Sequence, residues 1–312
     1  MPYNILITEP TLARAGLEVL QRADCRITFI EGQDREAEQA RILASEPIDA
    51  IIARGVPVRG DAIRSCKTLK AISRHGVGYN HVDVKSATEC NVAVLITVGA
   101  NAQSVAELAI GMMVTIGRGL FSHDATIRAG GWLAPAPAIQ LGGSTLGIVG
   151  IGAVGRITAR IALAIGMRVI AYDPYVDRSQ VMPEVQMIDR LDSLLDQADV
   201  LSLHCPQTDE TTGMIGAAEI ARMRPGVILI NTARGPVVDE PAMIAALRSG
   251  HIVGAGLDTF DPEPLPPGRE IATLPNVVLS PHIGGSTEAS LAAVSSMAAE
   301  NALKVLRGEA VL

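Results

Sequence analysis

Short apolar runs alternate along the whole chain with segments whose apolar positions recur every three to four residues. Tyr3–Thr8, Arg26–Ile30, Ala50–Ala53, Ala71–Arg74 and Ala93–Ile96 are apolar runs of strand length. Between them, Leu12–Arg22, Arg35–Ser45 and Val82–Cys90 carry helical spacing. Near-continuous apolar strands alternating with helices predict a parallel sheet covered on both faces, and so an α/β domain.

A long, unbroken helix is predicted next, over Asn101 to Ala129, rich in small and apolar residues. A helix apolar nearly all round is a buried one, packed between domains or against a second subunit. The glycine- and proline-rich stretch Gly130 to Gly143 ends it. A second alternating series follows, with strands predicted over Thr145–Val149, Arg168–Tyr172, Val200–His204, Val227–Asn231, Ala255–Asp258 and Val277–Ser280. The proline-rich loop Asp261–Gly268 precedes the last of these. A final helix, Thr287 to Leu306, has no sheet of its own left to cover, so it is expected to return to the first domain. The fold expected is α/β with two Rossmann-like, doubly wound parallel sheets and a first domain discontinuous in sequence.

Length and composition narrow the class. At 312 residues, 48% of them hydrophobic and 19% charged, the chain has apolar material for two cores of ordinary size. A net charge of −7 without a lysine or arginine run argues against nucleic-acid binding. Cys25, Cys66, Cys90 and Cys205 are scattered with no CxxC pair, which predicts reduced thiols and neither a disulfide framework nor a metal site. The N-terminal MPYNILIT has no basic leader and reads as a strand. The most apolar helical stretch, Ala106 to Gly117, is shorter than the ~20 residues a bilayer requires. A soluble, cytoplasmic protein without membrane partners is expected.

Candidate chemistry begins at Gly150-Ile151-Gly152-Ala153-Val154-Gly155, a GxGxxG turn between the strand TLGIV and the helical RITARIALAIG. In that context the first glycine permits the turn, Gly152 lets a pyrophosphate approach the backbone, and Gly155 lets helix and strand pack closely. Asp173 ends the next strand, 18 residues past Gly155, where an acid meets the adenosine ribose hydroxyls. A carboxylate there would repel a 2′-phosphate, which predicts NAD rather than NADP.

Three residues downstream make a coherent set. Arg234 follows the strand VILIN, where ligands of a doubly wound sheet bind, and a guanidinium grips a carboxylate with two parallel hydrogen bonds. Glu263 lies in the stiff Asp261-Pro262-Glu263-Pro264, and His282 follows the strand VVLS and Pro281. Taken singly, these read as a surface ion-pair partner, a solvated loop acid and a structural histidine. Taken together they fit one mechanism: His282 exchanges a proton with a carbonyl or hydroxyl oxygen, Glu263 fixes its tautomer, and hydride moves to or from a nicotinamide.

These residues, in this order, resemble the D-2-hydroxyacid dehydrogenase family, and its phosphoglycerate-dehydrogenase-like branch in particular. The resemblance spans nearly the whole chain. It rests on Arg74-His75-Gly76-Val77-Gly78, on Gly99–Glu107, on the stretch NTARGPVVDE from Asn231, on Gly256-Leu257-Asp258 and on Ser280–Gly285. It implies catalytic roles for Arg234, Glu263 and His282, and contact between the substrate carboxylate and the Val77 and Gly78 amides. It implies an NAD site lined by Ala153, Val154, Asp173, Cys205, Thr211, Thr232, Ala233, Asp258 and Gly285, beside Gly150, Gly152 and Gly155. It further implies a substrate-binding domain of residues 1–99 and 286–312, an NAD-binding domain of residues 100–285, and a homodimer.

The small 2-hydroxy or 2-oxo acid stays open. Arg54 and Arg74 match positions that gather cations around a phosphate, or equally serve structural ion pairs. The stretch after Gly131-Trp132, often basic in that branch, reads Leu133-Ala134-Pro135-Ala136-Pro137 here. Hydroxypyruvate or glyoxylate reduction is therefore the alternative. A non-catalytic, NAD-sensing corepressor on the same scaffold is a third reading, disfavoured by the expectation of two domains without peptide-binding tails. Formate oxidation would carry glutamine at Glu263.

Overall fold

The computed structural model describes residues 2–132 and 138–310, so the Leu133–Pro137 stretch lies outside the described residues. In chain order the first elements are β1 (Asn4–Ile7), α1 (Arg14–Arg22), β2 (Arg26–Phe29), α2 (Arg35–Ser45), β3 (Ala50–Ala53), α3 (Gly60–Ser65), β4 (Ala71–Arg74), α4 (Val84–Glu89) and β5 (Ala93–Leu95). They continue with α5 (Ala102–Arg118), α6 (Leu120–Arg128), β6 (Thr145–Val149), α7 (Ala153–Ala164), β7 (Arg168–Tyr172), β8 (Gln186–Met187), α8 (Leu191–Leu195) and β9 (Val200–Leu203). The last are α9 (Ala217–Arg222), β10 (Val227–Asn231), α10 (Glu240–Ser249), β11 (Ile252–Leu257), β12 (Val277–Leu279) and α11 (Glu288–Leu306). The chain divides into two compact units, Met1–Asn101 with Ser286–Leu312, and Ala102–Gly285.

The first unit is a five-stranded parallel sheet in the order β2-β1-β3-β4-β5. Alternate residues of each strand bury on opposite faces. Leu6, Ile51, Ala53 and Ile72 pack under α2 and α3, whereas Ile5, Ile7, Ala50, Ile52 and Ala71 pack under α1 and α11. Thr287 caps α11 by accepting the Ser290 N–H at 3.2 Å. That helix brings Ala298, Ala299 and Ala302 against the sheet and lies along α1. Because the strand order reverses between β1 and β3, the carboxyl ends of those strands border the crevice where such sheets take ligands. Arg54 follows β3 there.

The second unit is a seven-stranded parallel sheet in the order β12-β11-β10-β9-β6-β7-β8. Leu146, Ile148, Val200, Ile228 and Ile230 face α5 and α7, and Leu201, Leu203, Leu229 and Ile170 face α8, α9 and α10. Here the order reverses between β6 and β9, so the glycine turn after β6 sits at the switch point. The fold is the doubly wound α/β architecture expected in both units.

One element departs from expectation. The predicted continuous helix over 101–129 is two helices, broken at Gly119, whose φ of +58° is a left-handed conformation that only glycine adopts without cost. The axes of α5 and α6 diverge by 64°. Hydropathy continues through the break, which is why periodicity alone missed it. The consequences differ on either side. Ala109, Met112 and Met113 of α5 are buried in the second unit's own core, whereas no residue of α6 is buried. No single helix among the described residues is long and apolar enough to cross a membrane.

Candidate active site

Three neighbouring strands of the second unit, β10, β11 and β12, deliver the three chemistry-bearing side chains at their carboxyl ends. Beyond β10, Asn231 is buried and builds the turn that carries Arg234: its Oδ1 accepts the Ala233 N–H at 3.0 Å and its Nδ2 donates to the Arg234 carbonyl at 2.8 Å. Arg234 donates from Nη1 to the Ala233 carbonyl at 2.6 Å. Burial holds its guanidinium pKa below the ordinary value, partly offset by the nearby Glu263 carboxylate. A half-buried cation of this kind is poised to take a carboxylate partner.

Beyond β12, Ser280 and Pro281 lead to His282, whose φ of +54° is unusual for a residue with a Cβ. Asp258, at the end of β11 and 1% exposed, explains how that backbone is held. Its Oδ1 accepts Ser280 Oγ at 2.6 Å and the Ile283 N–H at 2.9 Å, and its Oδ2 accepts the Gly284 N–H at 2.8 Å. A carboxylate taking three donors around one turn fixes it from both sides. The resemblance assigned Asp258 to the cofactor lining. In the structure its carboxylate holds the His282 turn, a positioning role that the sequence signals only as an acid closing an apolar strand.

Glu263 comes from the loop after β11, in which the Asp261-Pro262 and Glu263-Pro264 bonds are both cis. Its Oε1 accepts the Phe260 N–H at 2.9 Å, and its Oε2 lies 2.7 Å from His282 Nδ1. The expected acid–imidazole pair is therefore assembled. Gly235, next to Arg234, packs so tightly on Phe260 that an added Cβ would lie 2.5 Å from its carbonyl carbon. The Arg234 and Glu263 loops are thus braced on each other, with a pocket of about 170 Å³ beneath them lined in part by Asn231, Phe260, Glu240 and Arg269.

The glycine turn lies three strands from β11, at the end of β6, the β6–β9 switch point described above. Gly150 has φ +89°, and an added Cβ would lie 2.7 Å from the Cys205 nitrogen; at Gly155 it would lie 2.2 Å from the Gly150 carbonyl oxygen. Those two glycines are demanded by the protein's own backbone. At Gly152 an added Cβ would meet nothing within 4 Å, so its lack of a side chain leaves open space. No side chain caps α7, and the N–H groups of Ala153, Val154 and Gly155 find no acceptor among the described residues. Asp173 spans the turn's flank, accepting the Ile151 N–H on Oδ2 and the Tyr175 N–H on Oδ1, each at 3.0 Å.

Cys205 backs Gly150, and burial pushes its thiol up to about 11, which makes it a wall and not a nucleophile. Thr211 holds its loop, donating to the Pro206 carbonyl at 2.6 Å. Thr232, at the end of β10, has a buried Oγ1 with no hydrogen-bond partner among the described residues. Ala233 is buried beside it, and Gly285 closes the β12 loop at the unit's boundary. An uncapped helix N-terminus, an open glycine and an orphaned hydroxyl along one edge fit a dinucleotide with its pyrophosphate at α7. Among the described residues no cluster of His, Cys, Asp or Glu is arranged to hold a metal ion.

In the first unit, Arg74 turns back on its own loop. Its Nε donates to the Gly78 carbonyl at 2.9 Å, and its Nη1 to the carbonyls of Ala53 at 2.8 Å and His75 at 3.1 Å. The expectation offered it as a phosphate cation or a structural ion-pair partner; these three bonds tie its guanidinium to backbone carbonyls. Arg54 differs, since its guanidinium has no hydrogen bond or ion pair among the described residues. The N–H groups of Val77 and Gly78 likewise find no acceptor there.

The family profile described as "D-isomer specific 2-hydroxyacid dehydrogenase, NAD binding domain" matches residues 110–284. The chain belongs to the D-isomer specific 2-hydroxyacid dehydrogenase family. Within it, the chain is 36% identical over 308 residues to a D-3-phosphoglycerate dehydrogenase of Methanocaldococcus jannaschii, covering 98% of this chain and 58% of that one. The chain thus spans little more than half the length of that relative. It is 37% identical to a hydroxypyruvate reductase of Thermotoga maritima over 91% of this chain and 92% of the relative. A solved glyoxylate reductase from Paecilomyes thermophila superimposes with a TM-score of 0.88 at 30% identity, covering 99% of this chain and 97% of that one. The NAD-binding profile covers the glycine turn, Asp173, Arg234, Glu263 and His282 alike.

Proposed function

We propose that this member of the 2-hydroxyacid dehydrogenase family is an NAD-dependent oxidoreductase interconverting small D-2-hydroxy acids and 2-oxo acids. The observation that carries the reading is the 2.7 Å Glu263–His282 pair, presented after β11 and β12 on the same side of the sheet order from β10, the strand that presents Arg234. NAD supplies the hydride acceptor or donor. Everything else falls to the chain's own residues. Arg234 binds the substrate carboxylate and orients C2, and the first unit offers the Val77 and Gly78 N–H groups as carboxylate donors. His282 donates a proton from Nε2 to the oxygen of C2 in reduction and receives it in oxidation, while Nδ1 stays hydrogen-bonded to Glu263.

The relatives bear names of different substrates, so the choice within the class rests on Arg54. A guanidinium at the switch point of the first sheet, without a partner among the described residues, favours a substrate with a second anionic group, of which a phosphorylated 2-oxo acid is one. Hydroxypyruvate or glyoxylate is the alternative, supported by the three bonds that tie Arg74 to backbone carbonyls. NADH oxidation against 3-phosphohydroxypyruvate, hydroxypyruvate, glyoxylate and pyruvate tests the reading. Turnover of any one supports it; turnover of none, with NADH still bound, supports the NAD-sensing corepressor.

The protein acts as a cytoplasmic homodimer in this reading, with neither nucleic acid nor membrane as partner. Support for the dimer comes from α6 and its surroundings, where Leu120, Phe121 and Ile127 are each about half exposed and Trp132 is 86% exposed. Light scattering at micromolar concentration should give twice the chain mass, and a monomer would remove this part of the proposal.

A further inference from the structure

We propose that Arg74 is a positioning residue, whose guanidinium shapes the Gly76-Val77-Gly78 loop into an anion-binding pair of amides, and that it is not a ligand of the substrate's distal group. The inference rests on the reading above, in which those amides receive the substrate carboxylate.

Among the described residues the loop's main-chain bonds reach no further than Gly76, whose N–H donates to the Arg74 carbonyl at 2.9 Å and whose carbonyl accepts the Thr97 N–H at 3.1 Å. The loop follows β4 and contains two glycines, one of them, Gly76, at φ +136°. Left to itself such a segment samples many conformations. Three side chains fix it, all within the first unit. Arg74 grips it from its carboxyl end through the Gly78 carbonyl, while its other bonds to the Ala53 and His75 carbonyls anchor the guanidinium to β3 and to the loop's start. Thr97 accepts the Gly76 N–H on Oγ1 at 3.0 Å. His75 Nε2 lies 2.8 Å from Ser295 Oγ of α11, tying the loop's first residue to the last helix.

Holding Gly78 by its carbonyl sets the plane of the peptide that follows, and the tight turn sets the planes before it. The Val77 and Gly78 N–H groups find no acceptor among the described residues, and successive N–H groups of this kind in a turn make a concavity for an anion. The Arg74 charge adds to that field without touching the anion. A planar fork with donors on several sides suits this task. Lysine offers a compact ammonium on a flexible stem and cannot reproduce the bonds to Ala53, His75 and Gly78 together.

This role separates Arg74 from Arg54 by experiment. Arg74→Lys keeps the cation and loses the fork. KM should rise about tenfold or more, the worth of a charge-assisted hydrogen bond, and by equal factors for glyoxylate and 3-phosphohydroxypyruvate, with kcat within a few-fold of the parent. Thr97→Val, which loosens the same loop without altering charge, should raise both KM values together. A KM rise confined to the phosphorylated substrate in Arg74→Lys would make Arg74 a distal-group ligand and overturn the proposal. Amide hydrogen exchange over residues 74–79 supplies a readout independent of activity. Exchange should be faster in Arg74→Lys than in the parent, and unchanged exchange overturns the proposal. If the parent reduces neither acid, the functional reading fails while the exchange comparison still decides the role of Arg74.

Discussion

His282 Nδ1 sits 2.7 Å from Glu263 Oε2, and Glu263 is itself fixed by the Phe260 N–H on its other oxygen at 2.9 Å. A carboxylate so anchored dictates which imidazole nitrogen carries the permanent proton. Nδ1 donates to Glu263, and Nε2 is left to exchange a proton with substrate. Asp258 acts on the same histidine from below, holding the backbone turn, so ring and main chain are positioned by two different acids.

Replacing His282 with asparagine should lower kcat by roughly 10²–10⁴-fold, the usual worth of a positioned general acid or base, with NADH binding unchanged. Steady-state kinetics beside a fluorescence titration of NADH would show this. Near-parental turnover in His282→Asn would mean that proton transfer runs through another group.

The three glycines of the β6–α7 turn should behave differently. Gly150→Ala places a Cβ 2.7 Å from the Cys205 nitrogen in a left-handed backbone, so stability should fall and Tm with it. Gly152→Ala meets nothing within 4 Å and should melt close to the parent, yet bind NADH at least about tenfold more weakly because the methyl occupies the approach to the pyrophosphate. An unchanged Kd in Gly152→Ala would place the dinucleotide elsewhere.

Asp173 holds the Ile151 and Tyr175 N–H groups and brings a negative charge to the edge of that turn. The parent enzyme should therefore use NADH with a higher kcat/KM than NADPH, and Asp173→Ala should narrow the difference while weakening both. Equal or better use of NADPH by the parent would refute the assignment.

Much of this was readable in the chain. Strands buried on both faces, such as Ala50–Ala53 and Val227–Asn231, announce themselves as unbroken apolar runs, AIIA and VILI, the second closed by Asn231. The trio is readable because its members close strands that belong to one sheet. Short elements with few apolar positions were not: α3 at Gly60–Ser65 and β8 at Gln186–Met187 exist through tertiary contacts. Gly119 hides because a single left-handed residue breaks a helix without breaking its hydropathy. The division of labour between Arg54 and Arg74 hides for another reason, since a guanidinium bonding carbonyls and one awaiting an anion are the same letter.

Acid should destabilise the fold through His75. Burial, with Arg54 and Arg74 nearby, lowers its pKa from 6.5 to about 4. The unfolded chain then binds a proton that the folded one refuses, so stability is lost as pH falls from about 6.5 to about 4 and is intact above that window. The shift corresponds to at most about 3 kcal/mol. Tm against pH should fall less steeply over that range in His75→Gln than in the parent, and parallel curves would remove His75 as the cause.

Arg54 decides the substrate. Its main chain is pinned, with Thr8 Oγ1 accepting its N–H at 2.7 Å and donating to its carbonyl at 2.6 Å. Its guanidinium lowers the His75 pKa through space, which puts its charge near the carboxylate loop. A cation with no partner among the described residues, fixed at the carboxyl end of β3, would gain about 1.5–3 kcal/mol from a charge-assisted hydrogen bond to a distal anion. Arg54→Ala should then raise KM for 3-phosphohydroxypyruvate about tenfold or more and leave that for glyoxylate nearly unchanged, since glyoxylate has nothing for Arg54 to hold. Equal effects on both acids would make Arg54 a part of the scaffold. The choice would then fall to the 2-oxo acids with no second anionic group, whose only anionic demand is the carboxylate.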